Sequence, residues 1–396
     1  MSTAWKIVLT LTFARMTMGF QFQAIPSLAP VLTGSGGFSY AALGTLTGAY
    51  LVPGVIVALA GGWLGRLLGD ARVVSIGLLL MAAGGFAGAL VSSFEAQLVW
   101  RLIAGCGAVC LNVLVTKMVA DWFEANNQLP TAMGVLVASW PAGIALCALA
   151  LPLIEAATGL FTALLVPGVL SALALMALRV VWQEAPVKAA GGATPKAAKM
   201  LGVEVVLVVL AGLIWGLYNT VFVGVVAWVP TLLSERGAGD VAAAAYSSSI
   251  VWVAIFSVVA GGVIAGRVAR PDIFALGSFL ISGVLIAALA AVQFGTSGFL
   301  VLLLLGGAIG PAAAIIMTLP VAAARAPARA SAMGLYFALY YAIMAIAPPV
   351  YGRLHDATQS AIAPLYSMSL VMIVCVMLWG AFRFKIGRPA ADGTSQ

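Results

Sequence analysis

The sequence has little charge and very little acid. Of its 396 residues 8% are charged, twelve are Asp or Glu, one is His and four are Cys. With 63% hydrophobic residues and a mean hydropathy of +1.13, too little polar surface remains to cover a soluble globule of this length. The lone His355, and four cysteines that all fall inside apolar runs (Cys106, Cys110, Cys147, Cys375), give no reason to expect a metal cluster or a disulfide framework. No Gly-Lys pair occurs, which excludes the Lys-containing phosphate loop of nucleotide-driven pumps. No cofactor is expected, and with one histidine there is no catalytic cluster to suggest an enzyme.

What the chain has is long apolar runs, each near the ~20 residues that cross ~30 Å of hydrocarbon as a helix. Twelve are expected, over 5–32, 40–65, 73–93, 98–121, 131–155 and 160–182, then 201–233, 240–266, 273–293, 298–324, 331–354 and 360–384. Runs such as 301–305 lack the apolar-polar alternation of barrel strands, so the fold expected is all-α.

Two segments recur at one offset of 200 residues. Thr131-Ala132-Met133-Gly134 returns as Ser331-Ala332-Met333-Gly334, and Ala60-Gly61-Gly62 as Ala260-Gly261-Gly262. A tandem duplication in a very apolar chain is a signature of secondary transporters. It divides the chain into a six-helix half over 1–182, a linker over 183–200 carrying Pro186, Pro195 and three lysines, and a six-helix half with a short tail over 201–396. The repeated glycines are expected to permit close helix approach in each half.

The cations orient the bundle. Placing the N-terminus inside puts fourteen Lys and Arg in the loops and tail on that side and only Arg236 and Arg353 on the other. Both termini are therefore expected to be cytoplasmic. The same asymmetry accounts for the net charge of +7 through basic loops facing anionic lipid, with no need for nucleic acid.

Two six-helix halves around a central loop resemble the major facilitator superfamily. Arg101-x-x-x-Gly105-x-Gly107 on helix four is similar to a motif of that family, and Gly62-Trp63-Leu64-Gly65 followed by Gly69 resembles its loop between helices two and three. That loop departs from the usual pattern: Arg66 stands where Asp is common and Leu67 where Arg is common, with Asp70 and Arg72 following. Arg66 and Asp70 are spaced to pair on a helix, and plain topogenic charge is the other reading. Phe13-Ala14-Arg15, Met18 to Gln23, and Ser139-Trp140-Pro141-x-Gly143 look like bacterial carriers grouped with cyanate transporters. This resemblance implies an inner-membrane carrier of small or organic anions, working as a monomer by alternating access.

Three cations remain at membrane depth: Arg15, Arg101 and Lys117. A charge at mid-bilayer costs at least ~2.5 to 3.5 kcal/mol on insertion scales, so it usually faces a polar cavity. Arg15 lies about ten residues into helix one, ~15 Å deep at 1.5 Å per residue, and is the first candidate for substrate contact, with Phe22 and Gln23 nearby. A guanidinium can hold an oxyanion by two parallel hydrogen bonds. The structural alternative has Arg15 bonded to helix carbonyls or to Glu204. On helix four, Arg101, Asn112 and Thr116 share a stripe, although Arg101 also suits a bracing role near the outer end. Lys117 lies a turn from Asp121 and is expected to snorkel. The second half offers Trp215, Tyr218 and Asn219 on helix seven and Tyr336 and Tyr340 on helix eleven, as recognition or as packing. Helices three, six, nine and twelve hold few polar groups and read as lipid-facing. A polyspecific drug or metabolite efflux carrier is the alternative function; for cationic drugs it wants a membrane carboxylate that the sequence does not offer.

Overall fold

A computed structural model describes residues 2–34, 37–57, 65, 67–123, 128–184, 199–265, 267–268, 270–293 and 295–386. Among them are twelve long helices and no strand, because a backbone in hydrocarbon must satisfy its own hydrogen bonds. In the first half they are α1 (Thr3–Ser27), α2 (Tyr40–Val57), α3 (Asp70–Leu90), α4 (Phe94–Phe123), α5 (Leu129–Thr158) and α6 (Leu160–Val181). In the second they are α7 (Gly202–Glu235), α8 (Asp240–Ala265), α9 (Pro271–Ala291), α10 (Thr296–Ile316), α11 (Arg329–Thr358) and α12 (Ile362–Ile386).

Eleven of the twelve are long and apolar enough to cross a membrane. The exception is α1, where Arg15, Gln21 and Gln23 lower the hydropathy. Three expected spans are interrupted, the second of them by a turn over 50–53 that contains Pro53. The first breaks after Pro26, giving α1 and a short helix Ala29–Gly34; the tenth breaks before Pro320, giving α10 and Leu319–Ala323. In each case a proline without an N–H lies beside the break. The motif residues Gly62 and Arg66 and most of the linker, 185–198, lie outside the described residues.

The duplication is visible in the element bounds: α5 and α11 are both 30 residues long and displaced by 200 at both ends. Among the described residues the expected glycine contacts are met in part: a Cβ on Gly261 would lie 2.4 Å from the Pro311 Cα, but other glycines at the offset differ. A Cβ on Gly77 would lie 2.6 Å from the Gly107 carbonyl oxygen, whereas one on Gly277, or on Gly134, would meet nothing within 4 Å.

With twelve long helices running in alternate directions, the first and last described residues lie at one end of the bundle, called here the terminal end; the other is the far end. Each half has its own apolar core, and Val223, Val226, Tyr340, Tyr341 and Met344 of the second half join the core of the first. The halves meet closely toward the far end. There α2 and α11 approach through glycines: a Cβ on Gly48 would lie 2.1 Å from the Ala345 oxygen, and one on Gly352 2.2 Å from the Tyr40 oxygen. Outside the bundle, α3, α6, α9 and α12 present exposed apolar side chains such as Leu79, Met176, Ile281 and Leu370, which hydrocarbon rather than water can solvate.

Candidate functional site

Arg15 sits at mid-height in α1 and is bonded across the first half. Its Nε donates to Asn112 Oδ1 on α4 (2.8 Å), and its Nη1 donates to the carbonyls of Leu136 (2.9 Å) and Val137 (3.0 Å) and to Ser139 Oγ (3.3 Å) on α5. The Val137 carbonyl is available because its helical donor would be residue 141, and Pro141 has no N–H. So the α5 motif builds an acceptor for a cation on α1. The carbonyl pairing foreseen as an alternative is present, while Glu204 is elsewhere. It accepts from Arg325 Nε (2.8 Å) and from the backbone N–H groups of Arg325 and Leu201 (2.8 and 2.7 Å) at the terminal end.

The bonds from Arg15 continue into the second half. Asn112 Nδ2 donates to the Tyr341 hydroxyl on α11 (3.0 Å), so Arg15, Asn112 and Tyr341 form a line across the two halves. Tyr340 and Tyr341 are electrostatic neighbours of the guanidinium. Nη2 of Arg15 makes no hydrogen bond among the described residues. Only Nη2 therefore remains for a ligand, and a two-bond grip on the Nε/Nη2 edge requires Asn112 to give way.

Beyond Tyr340 lies an aromatic wall. Trp215 stacks on Tyr340 at 6.0 Å, on Tyr218 at 5.8 Å and on Tyr336 at 6.5 Å, with planes within 29°. The Trp215 Nε1 is buried without a partner. Tyr218 donates to the Ile309 carbonyl (2.8 Å), Tyr336 reaches Met317 Sδ (3.8 Å), and Asn219 bonds back to the Trp215 carbonyl (2.8 Å). These three support the wall. Thr116, one turn from Asn112 toward the terminal end, is exposed, as are Gly134 and Val137 on α5, so this side of the site is accessible from the terminal end.

Arg101 does not share the site with Arg15, against the stripe expected on α4. It is 7% exposed, and it donates to the carbonyls of Gln21 (2.8 Å), Phe22 (3.3 Å) and Leu46 (3.2 Å), with its guanidinium 5.0 Å from the Tyr50 ring centre. The Phe22 carbonyl is the one that Pro26 leaves without a helical donor. The Phe22 ring packs on Trp140 at 5.4 Å. Gln23, 1% exposed with its Oε1 unpartnered, lines a cavity of about 50 Å³ between the halves on the far side, together with Phe22, Tyr40, Trp228, Thr231 and Tyr351. That volume holds a few waters.

At the terminal end, Asp70 pairs with Lys117 of α4, and Lys117 also lies 3.8 Å from Asp121. The α3 start is thus tied to the end of α4, beside Gly69, whose φ of +86° suits glycine. Sequence reasoning left Tyr341, on the stripe with Tyr340, and Ser139, known only as part of the α5 motif, out of the site, and passed over the cluster around His355. For Ser139 a signal was present in Pro141; for the others the partners are distant in sequence.

The sequence pattern of the Major Facilitator Superfamily matches residues 11–348. The cyanate transport protein of Escherichia coli (strain K12) is 25% identical over 268 residues, 67% of each chain. Among solved structures, a bacterial homolog of the human lysosomal transporter Spinster, in an inward-facing conformation, superposes with a TM-score of 0.77 at 14% identity over 97% of this chain and 98% of that one. A D-xylose–proton symporter gives 0.76 at 16% over 97% of each. The nucleoside transporter NupG gives 0.74 at 15% over 98% of this chain and 100% of that one. At these identities the structures establish the fold alone.

Proposed function

The chain belongs to the Major Facilitator Superfamily, a multi-pass membrane transporter and not an enzyme, and on that premise we propose that it carries small or organic anions by alternating access. The observation that carries the reading is Arg15: a cation at mid-membrane with its Nη2 unfilled, next to an aromatic wall, and with no carboxylate bonded to it among the described residues. The likeness to a cyanate transport protein supports an anion. Its setting is a bacterial inner membrane with both termini in the cytoplasm, following the distribution of basic residues. The sealed far end and the accessible terminal side then correspond to an inward-facing state.

The anion takes the Nε/Nη2 edge of Arg15 and displaces Asn112. Released from Arg15, Asn112 no longer holds Tyr341 in place, and the line joining the halves is broken. Binding energy is thereby converted into a change in how the halves meet, which a carrier needs if loading is to permit reorientation. The body of an organic anion lies toward Trp215 and Tyr340, whose unpartnered indole N–H adds a donor.

The test is binding by purified protein of a panel of anions of equal charge, read by thermal shift and by counterflow in proteoliposomes. Small organic acids are expected to bind more tightly than cyanate or nitrate, and Trp215→Ala to erase that preference while Arg15→Ala removes binding of both. Wild-type transport of every ligand by Arg15→Ala would overturn the proposal and favour efflux of neutral, apolar molecules along the aromatic wall.

A further inference from the structure

We propose that His355 is a proton-binding site that governs the far-end seal, closing it when protonated. The inference rests on the alternating-access reading above and on the geometry of one cluster.

His355 is 7% exposed and lies between two carboxylates on different helices. Its Nε2 is 3.1 Å from Glu235 Oε1 at the end of α7, and its Nδ1 is 3.8 Å from Asp356 Oδ1 and buried without a hydrogen-bond partner. Asp356 in turn accepts the backbone N–H groups of Tyr40 (3.1 Å) and Ala41 (2.8 Å), so a carboxylate of the second half caps the first turn of α2 in the first. Glu235 also accepts the N–H of Ala361 at 3.0 Å. The imidazole ring lies 4.0 Å from the ring of Tyr40 and 5.1 Å from that of Trp228.

A neutral imidazole has one N–H and one lone pair. If Nε2 donates to Glu235, the lone pair on Nδ1 faces the Asp356 carboxylate; the other tautomer turns it toward Glu235. Only the imidazolium offers a donor to both acids. The other charged groups of these elements do not oppose this. Asp240, at the start of α8, accepts from Ser234 (2.7 Å) and adds another negative charge. Arg236 is turned to the carbonyls of Leu289, Ala290 and Val292 at the end of α9, and Arg353 is exposed.

The protonated ring thus ties Glu235 to Asp356, and Asp356 to α2. Losing the proton sets a lone pair against a carboxylate at the point where the halves are latched, which favours separation. The proton comes from water at the far face when that end is open and returns to water on release. Tyr40 and Trp228 also line the cavity on the far side that reaches Phe22 and Gln23, so the proton site borders the space between the halves.

Spin labels at Thr158 and Gln293, both exposed at the far end of opposite halves, read the latch by double electron–electron resonance in ligand-free nanodiscs, with the native cysteines replaced by Ala. Between about pH 5 and about pH 8 the open-to-closed ratio is expected to rise roughly tenfold, a typical coupling. His355→Gln should lose this response and Asp356→Asn should be open at both pH values. Hydrogen exchange at the Tyr40 and Ala41 amides of unlabelled wild-type protein, corrected for intrinsic rate, should show greater protection at low pH. A far end indifferent to pH, or an unchanged pH response in His355→Gln, overturns the proposal. An anion-driven shift that persists without any pH response also overturns it, while leaving the anion reading intact.

Discussion

Arg15 and Arg101 lie within the membrane part of the first half, on α1 and α4, and each bonds a carbonyl that a proline four residues further along has left without a helical donor. Val137 is freed by Pro141 for Arg15, and Phe22 by Pro26 for Arg101. Their surroundings then diverge. Arg101 is enclosed by three carbonyls and the Tyr50 ring, and its bonds join α1, α2 and α4 of one half. Arg15 is only half-buried, keeps Nη2 unfilled, and connects through Asn112 to Tyr341 in the other half. Carbonyl pairing alone therefore does not distinguish a brace from a binding group. The distinction lies in the donors left over and in whether the bonds stay within one rigid half.

The largest effect should separate the two residues outright. Arg15→Ala is expected to lower anion transport by roughly a hundredfold or more, the usual loss when one member of a buried charge pair is truncated, while the protein still purifies as a monodisperse species. Arg101→Ala should instead reduce the yield and melting temperature, because the Phe22 carbonyl, already without a helical donor, loses its partner at depth at about 1 to 3 kcal/mol. Equal loss of folded protein in both variants, measured by size-exclusion chromatography and thermal unfolding, would collapse the comparison. Next in size is Arg15→Lys, which keeps the charge and loses the planar edge; about tenfold weaker binding is expected, with unchanged stability.

Much of this architecture was legible before the structure. The apolar runs placed all twelve helices, because hydrocarbon leaves a backbone no other option, and the 200-residue offset reappears in the bounds of α5 and α11. Depth along α1 singled out Arg15. The stripe on α4 misplaced Arg101, since a helical wheel gives the direction of a long side chain but not the acceptor it will reach. That acceptor was written in Pro26, four residues beyond Phe22, as Pro141 marked Val137. The cluster of Glu235, His355 and Asp356 was not legible, because Glu235 is 120 residues from His355 and only tertiary packing joins them.

A finer test concerns the link from Arg15 to the second half. If Asn112 competes with the anion for Nε, Asn112→Ala should tighten anion binding severalfold while slowing transport, because loading no longer alters the contact with Tyr341. Tyr341→Phe leaves Asn112 on Arg15 and removes only its acceptor across the halves. It should slow transport with little change in affinity. Parallel losses of affinity and rate in both variants would mean that Asn112 and Tyr341 simply shape the pocket.

The smallest expected effect addresses the prolines themselves. Pro141→Ala restores an N–H at residue 141, which can return to the Val137 carbonyl and compete with Arg15 for it. Arg15 retains Asn112, Leu136 and Ser139, so its position is loosened rather than lost, and anion affinity should fall only about two- to threefold, the worth of part of one net hydrogen bond. Pro26→Ala offers the matching change at Phe22, where Arg101 keeps the carbonyls of Gln21 and Leu46. If Arg101 is a brace and Arg15 a binding group, Pro26→Ala should leave anion affinity at the wild-type value and register only in the melting temperature. A drop in affinity from Pro26→Ala as large as that from Pro141→Ala would show that the two arginines act on the anion site alike.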